Sequence, residues 1–159
     1  MKNKFVSCLI AVLSLTVSSC RTTPTGNQPH LDIVKTVTPS RFSVIISNST
    51  PQTLGIWQGD NFWAWYMLTV YLRERPRGKE FVIRRKDRDW TMNVPGRIFL
   101  EPGESERMEI DLLDGSWDVP QGLRFTSNYF DVRVRLKIPP TREAKRLKVF
   151  VGESLSDWR

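Results

Sequence analysis

Hydrophobic and polar residues alternate most regularly over residues 130–138. The apolar positions are Phe130, Val132, Val134, Leu136 and Ile138, and the positions between them are Asp131, Arg133, Arg135 and Lys137. A period of two predicts a β-strand with one buried face and one solvent-exposed face. The next two residues, Pro139 and Pro140, end the strand because proline cannot donate to a sheet ladder.

The run from Phe62 to Leu72 is apolar on both of its alternating faces, which is typical of a central strand. One face carries Tyr66, Leu68, Val70 and Leu72, and the other carries Trp63, Trp65, Met67 and Tyr71. We expect the first set to be buried and the second to project, although the sequence leaves open which face is buried. Residues 75–78 predict a hairpin turn, and Glu80 to Arg85 predicts the returning strand.

Shorter apolar runs between turn residues predict further strands. They cover residues 31–38, 41–47, 90–94, 98–100, 108–112 and 147–151. Between them, residues 101–104 (Glu-Pro-Gly-Glu) fit a type II turn, in which proline fixes one dihedral angle and glycine adopts a positive φ. Because no segment is long enough for a crossover helix, the pattern predicts an all-β, antiparallel two-sheet sandwich over residues 31–159.

The order of these elements resembles the immunoglobulin-like and fibronectin-like sandwich domains of bacterial proteins. The similarity spans residues 41–152: a second strand that ends at an Asn, a Trp-rich third strand, a Pro-Gly turn, and a late alternating strand before Val149-Phe150-Val151-Gly152. It implies an immunoglobulin-like sandwich of seven to nine strands. The small bacterial proteinase-inhibitor sandwich family resembles this layout too.

The first nineteen residues predict a secretory signal peptide: a basic start, an apolar centre and a small-residue end. The apolar centre covers residues 5–17 and is shorter than the roughly 20 residues of a spanning helix. The segment Val17-Ser18-Ser19-Cys20 resembles the bacterial lipobox. That resemblance implies that Cys20 becomes the first mature residue and carries a diacylglyceryl thioether and an acyl chain such as palmitate. Several acyl chains would anchor the protein stably.

Residues 20–30 predict a lipidated cysteine followed by a flexible tether, since Arg21 to His30 shows no apolar periodicity. In enterobacterial lipoproteins an Asp after the lipidated cysteine marks retention at the inner membrane. Arg21 at this position therefore favours the outer membrane. Loss of Lys2 and Lys4 with the signal peptide would lower the net charge from +7 to +5.

The composition argues against catalysis. The single histidine, His30, falls in the predicted tether, so a Ser-His-Asp or Cys-His site would lack its base. No glycine-rich phosphate loop or zinc-protease motif is present. Seven carboxylates within residues 101–118 predict the charged face of a strand and its loops; a glycosidase pair and a calcium site at Asp111–Gly115 are the alternatives. We expect no enzymatic activity, no cofactor and no metal.

Tryptophans give the clearest indication of a binding surface. Trp57, Trp63 and Trp65 lie within nine residues, and basic residues cluster over 73–88 and 133–148. An exposed aromatic strip suits sugar stacking or a protein partner, whereas core packing is the alternative. In an exported protein a basic face meets anionic envelope components rather than nucleic acid. The predicted partner-binding residues are Trp63, Trp65, Tyr71, Arg73, Arg75 and Arg77.

The sequence therefore predicts a lipid-anchored protein of the bacterial envelope whose sandwich binds an envelope protein or glycan without catalysing a reaction. One alternative is a proteinase inhibitor that presents the loop at residues 56–61 or 114–122. Another is a glycan hydrolase that uses the acidic segment. The ligand, the membrane leaflet and the oligomeric state stay open.

Overall fold

A computed structural model describes residues 28–36, 38, 40–59, 61–75, 78–90, 94–125 and 129–159. Within these residues the chain forms nine strands and two short helices. The strands are β1 (His30–Lys35), β2 (Arg41–Ser47), β3 (Leu54–Trp57), β4 (Leu68–Glu74), β5 (Glu80–Arg84), β6 (Arg97–Leu100), β7 (Ser105–Asp111), β8 (Phe130–Ile138) and β9 (Gly152–Leu155). The helices are α1 (Phe62–Trp65) and α2 (Arg142–Arg146).

The strands pair into antiparallel sheets, as the alternation predicted. The two larger sheets have the orders β1-β2-β7 and β5-β4-β8-β9, and β3 pairs with β6 in a third, two-stranded sheet. Inward-facing residues of all three sheets form one hydrophobic core, which includes Phe42, Ile56, Leu72 and Val134. The expectation of an all-β antiparallel sandwich is confirmed, with nine strands in the described residues.

Strand β8 confirms the clearest prediction of the sequence. Its apolar positions are buried, whereas Asp131, Arg133 and Arg135 are half-buried and Lys137 is exposed. It lies between β4 and β9, with Val70 opposite Val134 and Lys137 opposite Glu153. The polar positions of β8 therefore point away from the core, into what we call the outer face of the four-stranded sheet.

The turn predicted at residues 101–104 is present, whereas residues 76 and 77 of the other predicted turn lie outside the described residues. The amide N–H of Glu104 donates to the carbonyl of Glu101 at 2.9 Å, and Gly103 adopts a φ of +85°. Strands β4 and β5 form the predicted hairpin, closed where the Glu74 N–H donates to the Lys79 carbonyl at 3.3 Å.

The predicted last strand over residues 147–151 is wrong. The helix α2 ends just before this segment. Thr141 caps the start of α2, because its hydroxyl accepts a hydrogen bond from the Ala144 N–H at 3.0 Å. The strand follows later as β9, and its inward residue at position 154 is a serine. This buried serine interrupts the apolar alternation by which a strand is recognised in the sequence. The core tolerates it because its hydroxyl donates a hydrogen bond to the Pro29 carbonyl at 2.7 Å.

Two further boundaries differ from the predictions. The chain enters the sandwich earlier than expected, because His30, the last residue of the predicted tether, opens β1 opposite Ser47. Strand β3 was not predicted, and all four of its residues are buried. In the predicted strand at 90–94, Trp90 and Val94 lie outside any strand, and residues 91–93 lie outside the described ranges.

Candidate functional site

The structure separates the predicted contact residues into three places. Trp63 and Trp65 belong to α1, Tyr71 and Arg73 point outward from β4, and Arg75 follows β4. Arg77 and the predicted lipidation site Cys20 lie outside the described residues.

The prediction that Trp63 and Trp65 lie on a strand with Met67 and Tyr71 is wrong. Asn61 caps a short helix here, because its side-chain oxygen accepts a hydrogen bond from the Ala64 N–H at 3.0 Å. The helix turns Trp63 and Trp65 in different directions, and Met67 is buried rather than projecting. Because the segment is apolar at nearly every position, its period carried no information, whereas the Asn cap did.

Helix α1 forms one wall of a cavity of about 360 Å³. Four aromatic residues line the cavity: Trp57, Phe62, Trp63 and Tyr66. The Trp57 and Trp63 rings lie 5.7 Å apart. Phe62 and Tyr66 are 42% and 39% exposed, so the cavity opens beside them. Its remaining lining residues are Met67, Thr69, Arg135, Lys137, Pro139 and Thr141. We call it the aromatic–basic cavity.

The cavity lining is positively charged. Arg135 and Lys137 contribute two cations from the outer face of β8, and none of the lining residues that the structure describes is a carboxylate or an imidazole. The nearest counter-charge on Arg135 is Glu153, whose carboxylate lies 3.9 Å away. The buried Nε of Arg135 has no hydrogen-bond partner among the described residues. The arrangement therefore offers two positively charged groups, the Arg135 guanidinium and the Lys137 ammonium, to an incoming anion.

Trp65 takes part in a separate stack of alternating rings and guanidinium groups. Arg85 lies between Trp65 and Trp117, 4.4 Å and 4.0 Å from their ring centres, and Arg88 lies over Trp65 and Trp90 at 5.3 Å and 4.9 Å. The Trp65 indole donates to the Lys86 carbonyl at 2.9 Å. Such contacts stabilise the sheet edge, so Trp65 supports the structure more than it offers a contact surface.

Arg73 and Arg75 converge on one carboxylate at the other end of the outer face. Asp131 accepts a hydrogen bond from Arg73 at 3.0 Å and another from Arg75 at 2.6 Å. The Trp158 ring lies between Arg73 and Arg133, 4.4 Å and 4.6 Å from their guanidinium carbons. These two arginines are held in place by one shared carboxylate.

Asp131 makes the stability of the sandwich sensitive to acid. Partial burial raises the pKa of Asp131, but hydrogen bonds from Arg75 and Arg73 outweigh it, so this pKa lies below its usual value. Its stabilisation is therefore complete above the unfolded pKa of about 3.9 and is lost as pH falls through the folded pKa. We expect Asp131→Asn to lower the free energy of unfolding by about 1 kcal/mol at pH 7.

Urea unfolding at pH 7 and at pH values below 4 tests this expectation. The difference between the parent protein and Asp131→Asn should shrink as the carboxylate of the parent is protonated. The exposed Asp157 offers a matched control, and Asp157→Asn should leave the profile unchanged. If the free energies of unfolding of the parent protein and Asp131→Asn differ by the same amount at every pH, the charge of Asp131 does not contribute to stability through its arginine pairs.

The segments considered for other functions are engaged in the fold. In the acidic segment, Glu109 accepts hydrogen bonds from Arg107 and Ser43 at 2.7 Å and 2.9 Å, and Asp111 pairs with Arg41 at 2.8 Å. These pairs lie on strands β2 and β7, which fits the charged face that the sequence predicted.

The two loops considered for proteinase inhibition contain buried residues. Ile56 and Trp57 belong to β3, and they are 0% and 2% exposed. The second loop is held by Trp117, which is 1% exposed.

A second cavity, of about 460 Å³, lies at the opposite end of the β4–β8 pair. Phe81, Leu123, Tyr129 and Phe130 are among its lining residues. Positions 126–128, between its lining residues Arg124 and Tyr129 in the sequence, lie outside the described residues. The aromatic–basic cavity is therefore the better-defined site.

Of the ten described residues that line the aromatic–basic cavity, only Trp63 was among the predicted partner-binding residues. Arg135 and Lys137 were visible as the polar side of an alternating strand, but nothing local indicated that α1 would cover that end of the sheet. Only the cap signals at Asn61 and Thr141 could have placed two short helices beside it.

Among the described residues, no group of three or more His, Cys, Asp or Glu side chains is placed to hold a metal ion. In the same residues, no helix has the length and apolar character needed to cross a membrane.

Comparison with known proteins gives one structural neighbour. No protein-family model and no curated protein matches the chain. The chain is similar to a solved structure from Sulfolobus acidocaldarius, the archaellum periplasmic stator protein complex FlaF and FlaG. The sequence identity is 13% and the TM-score is 0.40, with 95% of this chain and 99% of that chain covered. The sandwich architecture rests on the strand pairing of the chain itself.

Proposed function

We propose that the chain is the precursor of a lipid-anchored protein of the bacterial cell envelope. Residues 1–19 act as the signal peptide, Cys20 carries the lipid, and the following segment up to the first strand links it to the sandwich. The lipobox-like segment 17–20 supports the anchor, and Arg21 favours the outer membrane. The sandwich binds an envelope component, either a protein or a glycan, and performs no catalysis.

The aromatic–basic cavity carries the binding part of this proposal. It combines exposed aromatic rings with two cations, which is the composition of a recognition site. In the part of the chain that the structure describes, its lining holds no carboxylate or imidazole that could act as a general acid or base. Tyr71, Arg73 and Arg75 lie further along the same outer face. The two arginines add positive charge to the surface beyond the cavity.

Photo-crosslinking in living cells tests both parts. A benzophenone amino acid replaces Tyr66, which is 39% exposed and lines the cavity, and in a matched strain it replaces Leu113, which is 62% exposed and follows β7. We expect one discrete adduct from position 66 and none from position 113. A protein adduct and a glycan adduct differ in mass. Equal adduct patterns at both positions, or no adduct at 66, would contradict binding at the cavity.

The same strains carrying Cys20→Ser separate the anchor from the binding site. We expect this variant to lose incorporation of labelled palmitate and to leave the membrane fraction, because serine offers no thiol for the lipid. Retention of the label after Cys20→Ser would show that the chain is not lipidated at this residue.

A further inference from the structure

We infer that the aromatic–basic cavity holds an acidic sugar residue of an envelope glycan, with the acid group at Arg135 and Lys137 and the ring against α1. This inference rests on the function proposed above and narrows its ligand to one chemical class. The acid group is a carboxylate or a phosphate, since both offer oxygens to a guanidinium and an ammonium group.

The charge of the cavity indicates an anion. Among the described residues, its lining carries two cations and no carboxylate. Arg135 is only loosely paired, with Glu153 at 3.9 Å, and its buried Nε donates to no described residue. An acid group within the cavity would face the positive charge of the Arg135 guanidinium group and accept charge-assisted hydrogen bonds from its accessible N–H groups, and Lys137 would add a second cation.

The aromatic wall indicates a flat, partly apolar ring beside the acid group. Phe62 and Tyr66 pack edge to face with their centres 5.4 Å apart, and both rings are exposed at the opening. A pyranose ring has an apolar face that fits such a wall, and its hydroxyls fit polar groups. Thr69 and Thr141 supply hydroxyls to the lining. A free acid such as acetate would leave the aromatic wall unused.

The size of the cavity favours a sugar over a protein segment or a lipid. About 360 Å³ lies at the small end of the range for ligand pockets and suits one or two sugar rings. A stable protein partner would need roughly 800 Å² of surface on each side, most of it outside this cavity. Acyl chains would require a longer apolar space, whereas Arg135 and Lys137 line this one.

Ligand titration of the mature lipoprotein in detergent micelles tests the inference. The probes are digalacturonic acid with its neutral dimethyl ester, and glucose 6-phosphate with glucose, followed by tryptophan fluorescence and calorimetry. We expect at least one acid to bind ten-fold or more tightly than its neutral match, with an affinity that falls as salt is added. The digalacturonic acid pair tests whether the cavity prefers a carboxylate, and the glucose 6-phosphate pair tests whether it prefers a phosphate. Equal affinity of acid and neutral probe in both pairs would overturn the inference.

Charge-removing variants assign the binding to the cavity. We expect Arg135→Gln to weaken the preferred acid ten-fold or more and Lys137→Gln to weaken it several-fold. Lys137 is exposed, so its variant keeps the fold even if Arg135→Gln does not. The control is Arg107→Gln, which removes the same charge from β7 in the other sheet and should bind as the parent does. Equal losses in Arg107→Gln and Lys137→Gln would also overturn the inference.

The cellular crosslinking experiment separates this inference from the proposed function. A protein adduct at position 66, together with no preference for acidic sugars, would leave envelope binding intact and refute the acidic ligand. No adduct at position 66 and no preference for either acid would refute both.

Discussion

Replacing Trp117 with alanine lowers the free energy of unfolding by about 3–5 kcal/mol, the largest effect we expect from a single substitution. Trp117 is the largest fully buried side chain, with 1% of its surface exposed. Its ring packs 4.0 Å from the guanidinium carbon of Arg85, and its backbone forms a β-bridge with Arg85. The alanine variant would leave a cavity and remove one of the two tryptophan rings that Arg85 packs against.

Urea denaturation of the mature protein measures this effect, with the midpoint and the slope recorded separately. Trp158→Ala is the matched control, because Trp158 also stacks with two arginines, Arg73 and Arg133, but lies half-buried on the outer face. We expect it to cost about 1 kcal/mol. Equal losses from the two variants would show that Trp117 does not anchor the core.

Asn48→Ala should cost about 3 kcal/mol, because it removes a buried set of hydrogen bonds. The side-chain nitrogen donates to the carbonyls of Gln52 and Leu100 at 2.7 Å and 2.8 Å. The side-chain oxygen accepts from the Thr50 N–H at 3.0 Å and from its hydroxyl at 2.8 Å. Asn48 thus joins the end of β2 to the end of β6, and it is 1% exposed.

Thermal and urea unfolding of Asn48→Ala beside Ser49→Ala tests this role. Ser49 is exposed and makes one long hydrogen bond of 3.3 Å, to the Gln28 carbonyl, so its replacement should change stability by less than about 0.5 kcal/mol. Asn48→Asp should also be destabilising, because a carboxylate cannot donate to the two carbonyls. A stable Asn48→Asp would contradict the role of the donated hydrogen bonds. Because the Asn48 side chain is buried and bonded, the sequon Asn48-Ser49-Thr50 serves as a turn in the folded protein.

The elements that were predictable from sequence share one property: their hydrophobic pattern has a single interpretation. Strand β8 alternates strictly, so its buried face and its boundaries followed directly. The type II turn at 101–104 was equally clear, because Gly103 supplies the positive φ that the turn requires. Both are local features, and their chemistry does not depend on distant contacts.

The segment at 62–72 was not predictable in the same way. Where nearly every residue is apolar, neither a period of two nor a period of 3.6 stands out, and the Asn61 cap decided the structure. The wrong secondary structure also affected the predicted binding surface, because a strand would have placed Trp63 and Trp65 on one face. The short helix instead directs Trp63 into the cavity and Trp65 into the arginine stack.

The binding site combines predicted and unpredicted residues for a physical reason. Trp63 stood out by composition alone, whereas Arg135 and Lys137 looked like ordinary solvent-facing positions of a strand. Their function depends on α1 and the start of α2 lying over one end of the sheet. This arrangement is tertiary, and no periodic pattern in the sequence indicates it. Trp65 and Arg73, by contrast, had the composition of contact residues but are engaged in cation–π contacts.

Hydrogen–deuterium exchange tests most directly whether the aromatic–basic cavity contacts the envelope. The protein is compared in isolated native envelopes and in detergent micelles. We predict slower exchange in the envelopes for α1 and for residues 135–141, with unchanged exchange in β7 on the other sheet. Protection confined to β7, or equal exchange in both samples at α1 and residues 135–141, would contradict the account.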